Sequence, residues 1–158
     1  MKNKTEKTNV MRVLDSLKIS YSGHEYEADP GLTGEQIAGI LGEDVNCVFK
    51  TLVTRGKTGQ YYVFVIPVAR ELNLKKAASV VGEKSVEMIK QKELLPLTGY
   101  VHGGCSPIGM KKKFPTFIHE AANSLTKIYV SGGKVGAQIE LEPADLIRAA
   151  ACTPADLI

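Results

Sequence analysis

An α+β fold with a mixed or antiparallel sheet is what this chain predicts, on three observations. At least six short strand-like runs are interspersed with helical ones, and few stand in the strand–helix–strand order that parallel crossovers require. Two neighbouring runs, 48–53 and 61–66, flank the turn Gly56-Lys57-Thr58-Gly59, as in an antiparallel hairpin. The 158 residues, 44% of them hydrophobic and 23% charged, fit one domain (1–158) that buries roughly two-thirds of its unfolded surface.

The elements follow in order. Val10, Val13, Leu14 and Leu17 recur at helical spacing, which predicts an amphipathic helix over 5–18 behind a flexible tail, 1–7. Ile19 to Tyr26 reads as a strand, closed by Ala28-Asp29-Pro30-Gly31. Thr33 with Gln36 is a capping-box signature that opens a helix stopped at Gly42. The hairpin sits in the middle of the sheet, and a helix from Leu72 to Val81 ends at Gly82. Val86 to Met88 reads as a brief strand, 89–95 as a helical turn stopped by Pro96, and Tyr100-Val101 as strand-like. Strands over 116–118, 128–130 and 139–141 complete the sheet, and Pro143 opens a final helix. Pro-Ala-Asp-Leu-Ile occurs at 143–147 and again at 154–158, which predicts two similar helix starts.

Bulk properties narrow the setting. A net charge of +3 permits contact with a polyanion without demanding it. The N-terminus has charge but no apolar run behind it, and the longest apolar stretch, Tyr61 to Ala69, is too short to span a bilayer as a helix. Cys47, Cys105 and Cys152 are odd in number and far apart, which argues against a disulfide framework. A cytoplasmic protein with no membrane partner is expected.

Lys50 is the residue hardest to explain as scaffold. It lies in Val48-Phe49-Lys50-Thr51-Leu52-Val53, where alternation gives it one face with Val48 and Leu52, and both faces are largely apolar. A lysine there must lose hydration, pair with an anion or reach a cleft. Snorkelling from a sheet edge and a functional role both satisfy the pattern. His24, His102 and His119 lie in separate segments and no Cys or His pair has zinc-site spacing, so neither metal nor cofactor is expected. Cys105, three residues after His102, reads either as a nucleophile in a glycine-rich loop or as a small buried side chain. That loop, Gly103-Gly104-Cys105-Ser106-Pro107-Ile108-Gly109, lets backbone approach a ligand, and Lys111-Lys112-Lys113 follows it. Ser131-Gly132-Gly133-Lys134 repeats hydroxyl, flexible backbone and charge. The loop also reads as an ordinary turn between strands and the lysine cluster as a solvated face; taken together, the residues by themselves point to an anion-binding cleft, with or without catalysis.

At Phe49-Lys50-Thr51-Leu52, Leu72 to Ala78, the first glycine loop and Tyr129 to Lys134, the chain resembles the YbaK/EbsC family of aminoacyl-tRNA deacylases, related to the editing domain of prolyl-tRNA synthetases. The four motifs stand in the family's order, from about residue 8 to the end. The resemblance implies a mostly antiparallel, barrel-like sheet surrounded by helices. It implies hydrolysis of mischarged Cys-tRNA(Pro), the substrate thiol attacking its own ester, with prolyl-tRNA synthetase as a partner. It assigns catalytic positions to Lys50, Gly103 and Gly104 and substrate-binding ones to Tyr26, Thr51, Ser106, Pro107, Ser131 and Gly132. Val135 after Lys134 departs from a basic residue frequent there, and weakens a nucleic-acid contact at that spot. The alternatives are a deacylase for Ala-tRNA(Pro) or another small amino acid, and a non-catalytic tRNA- or synthetase-binding module.

Overall fold

The long hairpin forms the spine of the computed structural model, which describes residues 7–158. Strands β2 (Phe49–Gly56) and β3 (Tyr61–Pro67) pair antiparallel from Phe49↔Pro67 to Arg55↔Tyr61. Val63, Phe64, Val65 and Ile66 are each 0% exposed. Burial on consecutive residues means that both faces are covered, as the unbroken apolar run requires. β4 (Val86–Met88) joins the outer edge of β2 only at Thr54–Gly56. On the other side β5 (Thr116–His119) runs parallel to β3, and β8 (Cys152–Ala155) parallel to β5.

A second sheet has the order β1–β7–β6, with β1 (Ser22–Glu25), β6 (Ile128–Ser131) and β7 (Ala137–Leu141) all antiparallel. One parallel bridge, Val48↔Tyr129, links the two sheets. The strands therefore form two open sheets in place of one closed barrel. Between that bridge and β4, the outer edge of β2 from Phe49 to Leu52 has no strand partner.

The helices are bounded as local chemistry dictates. α1 (Asn9–Ser16) buries Val10 and Leu14 completely; the tail expected over 1–7 lies outside the described residues except Lys7, which pairs with Asp15 at 2.5 Å. α2 (Gly34–Leu41) carries the predicted capping box, Thr33 accepting from Gln36 N–H and Gln36 from Thr33 N–H, and ends at Gly42 with φ +67°. α3 (Leu74–Val81) starts on Asn73 and stops at left-handed Gly82. α5 (Pro143–Ala150) has proline in its first turn.

Three expectations are corrected. α4 runs Gln91–Thr98 through Pro96 instead of stopping before it. The missing proline N–H deprives one carbonyl, and the helix ends two residues later anyway, with Thr98 Oγ1 donating to Leu94 O and Gly99 N–H to Leu95 O. Tyr100-Val101 belongs to a loop, not a strand; the buried Tyr100 hydroxyl donates to the Ile108 carbonyl and fastens the loop across its base. The second Pro-Ala-Asp-Leu-Ile does not open a helix. Pro154 sits in β8 opposite Ile118, at a sheet edge where its lack of an N–H is tolerated. Leu157 is then fully buried, its N–H donating to His119 Nδ1 at 3.2 Å.

Residues before and within the first turn of α2 face the cleft described below, so its cap can be tested directly. Thr33→Ala should cost about 1 kcal/mol and lower the melting temperature by roughly 2–4 °C, read by circular dichroism.

Candidate functional site

Where the two sheets part, they enclose a cavity of about 570 Å³. One wall is Val48 with β2 from Phe49 to Leu52; another is Val130 and Ser131 of β6 with Ala137 and Gln138 of β7. The start of α2 closes a third side through Leu32, Thr33 and Glu35, and the Tyr100-fastened loop contributes His102, Gly103 and Cys105. The cavity exists because β2 lacks a strand neighbour there. For the same reason Lys50 and Thr51, which leave a strand on opposite faces, both reach it.

Lys50 is half-buried and makes no ion pair or hydrogen bond with the described residues. It is neither buried catalytically dry nor snorkelled to an open edge; it is a cation held in a cleft without an anion. The Thr51 Oγ1 is buried and also lacks a partner among the described residues, an arrangement that native structures seldom leave unless a ligand or water completes it. Gly103 has φ +86°, a conformation costly for any side chain, and its N–H donates to no described group. Ser131 Oγ accepts from Gly133 N–H at 3.2 Å, which leaves its own hydrogen for the cavity. Tyr26 is fixed through its N–H to Gly136 O at 3.0 Å and lines the cleft.

The structure thus brings together Tyr26, Lys50, Thr51, Gly103 and Ser131. Gly104, Ser106, Pro107 and Gly132 lie behind the wall. Gly104 N–H is committed to Val101 O at 2.9 Å, so of the two expected amide donors only Gly103 remains. A Cβ on Gly104 would stand 2.9 Å from the Lys134 backbone, and one on Gly132 3.0 Å from Ala137. Gly104 lets the two glycine loops touch, and Gly132 lets the β6–β7 turn close on Ala137. Ser106 is 0% exposed and accepts from Ile108 N–H at 3.2 Å, a local turn that shapes the first loop beside buried Pro107.

Cys105 lines the cavity, but burial pushes its thiol up to about 12. It stays protonated near neutrality, and the thiol is a poor nucleophile. His119 is buried and serves the C-terminal segment, and His24 Nε2 lies 2.8 Å from Glu140 Oε1. Of the three lysines after the first loop, Lys113 caps the end of α5 through Ala150 O at 2.8 Å, while Lys111 and Lys112 are exposed. Sequence reasoning missed Gln138. In register it faces Ser131 on β6 and His24 on β1. The alternation Ala137, Ile139, Leu141 against Gln138, Glu140 held that signal, since it puts both polar side chains on the face away from the main core.

A ligand-sized cleft with an unpaired cation, a free amide and hydroxyls, set at the parting of two sheets, belongs to the class of sites that take the end of an anionic ligand. The chain belongs to the aminoacyl-tRNA editing domain family, whose profile matches residues 28–149. It is 48% identical over 144 residues to EbsC of Enterococcus faecalis, named as a candidate Cys-tRNA(Pro)/Cys-tRNA(Cys) deacylase, covering 90% of this chain and 88% of that one. It is 32% identical over 80 residues to a proline–tRNA ligase of Thermosipho africanus, a match spanning 51% of this chain and 14% of the ligase. A crystal structure described as a candidate trans-editing enzyme for prolyl-tRNA synthetase has the same fold, with a TM-score of 0.80, 24% identity and coverage of 97% of this chain and 98% of that chain.

The contact between the glycine loops makes a paired prediction. Gly104→Ala should destabilise by about 1–3 kcal/mol through overpacking against backbone. Gly39→Ala, with nothing within 4 Å of its Cβ, should be neutral or stabilise by up to about 1 kcal/mol, both read by denaturant titration.

Proposed function

We propose that this protein is a trans-editing aminoacyl-tRNA deacylase that hydrolyses mischarged Cys-tRNA(Pro), the activity named for its Enterococcus faecalis relative. The observation that carries the reading is Lys50: a cation without a counter-ion among the described residues, inside a cleft whose one thiol is held neutral. Such a site positions and polarises a substrate; it does not supply an attacking group.

The chemistry follows from that division. The sulfur of the esterified cysteine attacks its own carbonyl carbon, the bond from that carbon to the ribose oxygen breaks, and the thiol proton ends on the ribose oxygen. The products are free tRNA and a cyclic thioester, which water opens to cysteine. The protein has to hold thiol and carbonyl in an attacking geometry and to stabilise the oxyanion that forms on the way. Gly103 N–H is placed to donate to that oxygen, and Gly104 serves as the spacer that sets the loop. Lys50 meets the terminal nucleotide or ester region, and Thr51, Tyr26 and Ser131 orient the substrate. Ser106, Pro107 and Gly132 act through the shape of the two loops.

The whole chain, 1–158, is read as one editing domain that works in the cytoplasm. Prolyl-tRNA synthetase is proposed to supply the tRNA discrimination that a cleft sized for the 3′ end lacks. Alanine is the competing amino acid: it would enter the same space, but it carries no thiol to drive the reaction.

Two outcomes test the reading. Lys50→Ala should lower kcat/KM for Cys-tRNA(Pro) by about 10–100-fold, the worth of one charged hydrogen bond, while Cys105→Ala should leave it within about twofold if the attacking sulfur belongs to the substrate. Deacylation assays on Cys-tRNA(Pro) and Ala-tRNA(Pro), with and without synthetase, supply the measurement. Activity lost in folded Cys105→Ala would reject the substrate-thiol route.

A further inference from the structure

Behind the cavity wall lies a polar cluster that the mechanism above does not use. Gln138 is 3% exposed, lines the cavity, and has His24 and Ser131 as its cross-strand neighbours. Its Oε1 is buried without a hydrogen-bond partner. Both carboxyl oxygens of Glu43, in the turn after α2, are buried without a hydrogen-bond partner among the described residues as well. Three acceptor atoms with no donor among them are one proton short, and a stranded buried acceptor is costly.

The charged neighbours do not supply the missing donor. His24 on β1 favours an ionised Glu43 but is already engaged by Glu140 at 2.8 Å, and Glu140 on β7 opposes ionisation. Lys127, ahead of β6, favours ionisation but lies over the Tyr129 ring, 5.7 Å from its centre. Burial is the largest influence on Glu43 and pushes its carboxyl up from the usual range; a hydrogen bond from Gln138 acts the other way. That opposing bond requires the amide NH2 to face Glu43, whereas in the structure Oε1 is the buried end of the amide.

We propose that Glu43 is held as a neutral acid that donates its O–H to Gln138 Oε1, and so acts as a positioning residue turning the Gln138 NH2 into the cavity. Gln138 then offers the substrate a donor beside Ser131, in support of Gly103 at the developing oxyanion. Ionisation of Glu43 removes the proton that holds Oε1, and the amide rotates to present an acceptor where a donor is needed. The device sets the polarity of one cavity wall by a single proton.

The test uses Glu43→Gln, whose side-chain NH2 still donates to Oε1 but cannot ionise, and Glu43→Ala, which removes the donor. At neutral pH, kcat/KM should be near wild type for Glu43→Gln and about tenfold lower for Glu43→Ala. As the pH is raised from neutral the Glu43→Gln to wild-type ratio should climb, because only the wild type loses its donor; a flat ratio overturns the proposal. The kinetic arm rests on the deacylase reading, and the second arm does not. An infrared difference spectrum of wild type against Glu43→Gln at neutral pH should contain a protonated-carboxyl band, and its absence overturns the proposal. A wild type that deacylates neither aminoacyl-tRNA would reject the proposed function, while the infrared result would still decide the state of Glu43.

Discussion

The uncovered edge of β2 is the constraint from which the rest of the site follows. A strand in mid-sheet normally spends both rows of backbone groups on neighbours. Here β3 takes one row for its full length, but the other row meets β4 only at Thr54–Gly56 and touches the second sheet only at Val48. The gap is about four residues long, and it coincides with Phe49-Lys50-Thr51-Leu52. Had β4 continued along β2, Lys50 would be enclosed and would need a carboxylate. Because the sheets part, a half-buried lysine can stay unpaired at the mouth of a cavity, where an arriving anion is its counter-ion. The cavity lies where the two open sheets part, with strands of both in its walls.

The glycine-rich loops solve the second problem, which is to cover that gap without filling it. Gly104 and Gly132 give up side chains so that backbone can meet backbone, and Gly103 takes a left-handed turn that leaves its N–H unspent. The loop is held from within by Tyr100 to Ile108 and by Ser106 to Ile108. A donor on a loop so fastened is already in place before substrate arrives, which is the condition under which an amide stabilises developing charge without reorganisation.

Local chemistry made most of the frame readable. Thr33 with Gln36, Gly42, Gly82 and Pro143 each mark a helix end by a mechanism confined to a few residues, and each lies where the spacing put it. The misreadings are those in which distant partners outweigh local preference. Pro96 stops helices in general, yet Thr98 and Gly99 close α4 two residues on, so the proline costs it little. Pro154-Ala155-Asp156-Leu157-Ile158 has the same letters as a helix start, but β5 offers an edge and His119 takes the Leu157 N–H. Of the candidate site, Lys50 stood out because a strand has no ordinary use for it, and it lines the cavity. Which glycine keeps a free amide, and that Gln138 lies beside Ser131, depend on register and loop closure, which no short stretch of sequence encodes.

Cys105 gives the arrangement its sharpest consequence. A thiol in the wall of a hydrolase cleft invites a covalent mechanism, but a nucleophile must ionise and this one is held protonated by its apolar surroundings, among them Val53, Phe114 and Met110. On the proposed reading the same surroundings shelter a substrate thiol from competing charge, and Lys50 and Gly103 meet the part of the substrate that becomes negative. On that reading the cavity's neutral thiol and its unspent donors divide the work: the substrate brings the reactive sulfur, and the protein brings the field. A cleft built that way discriminates by chemistry as well as by size, because an amino acid that fits but carries no nucleophile of its own occupies the site without reacting.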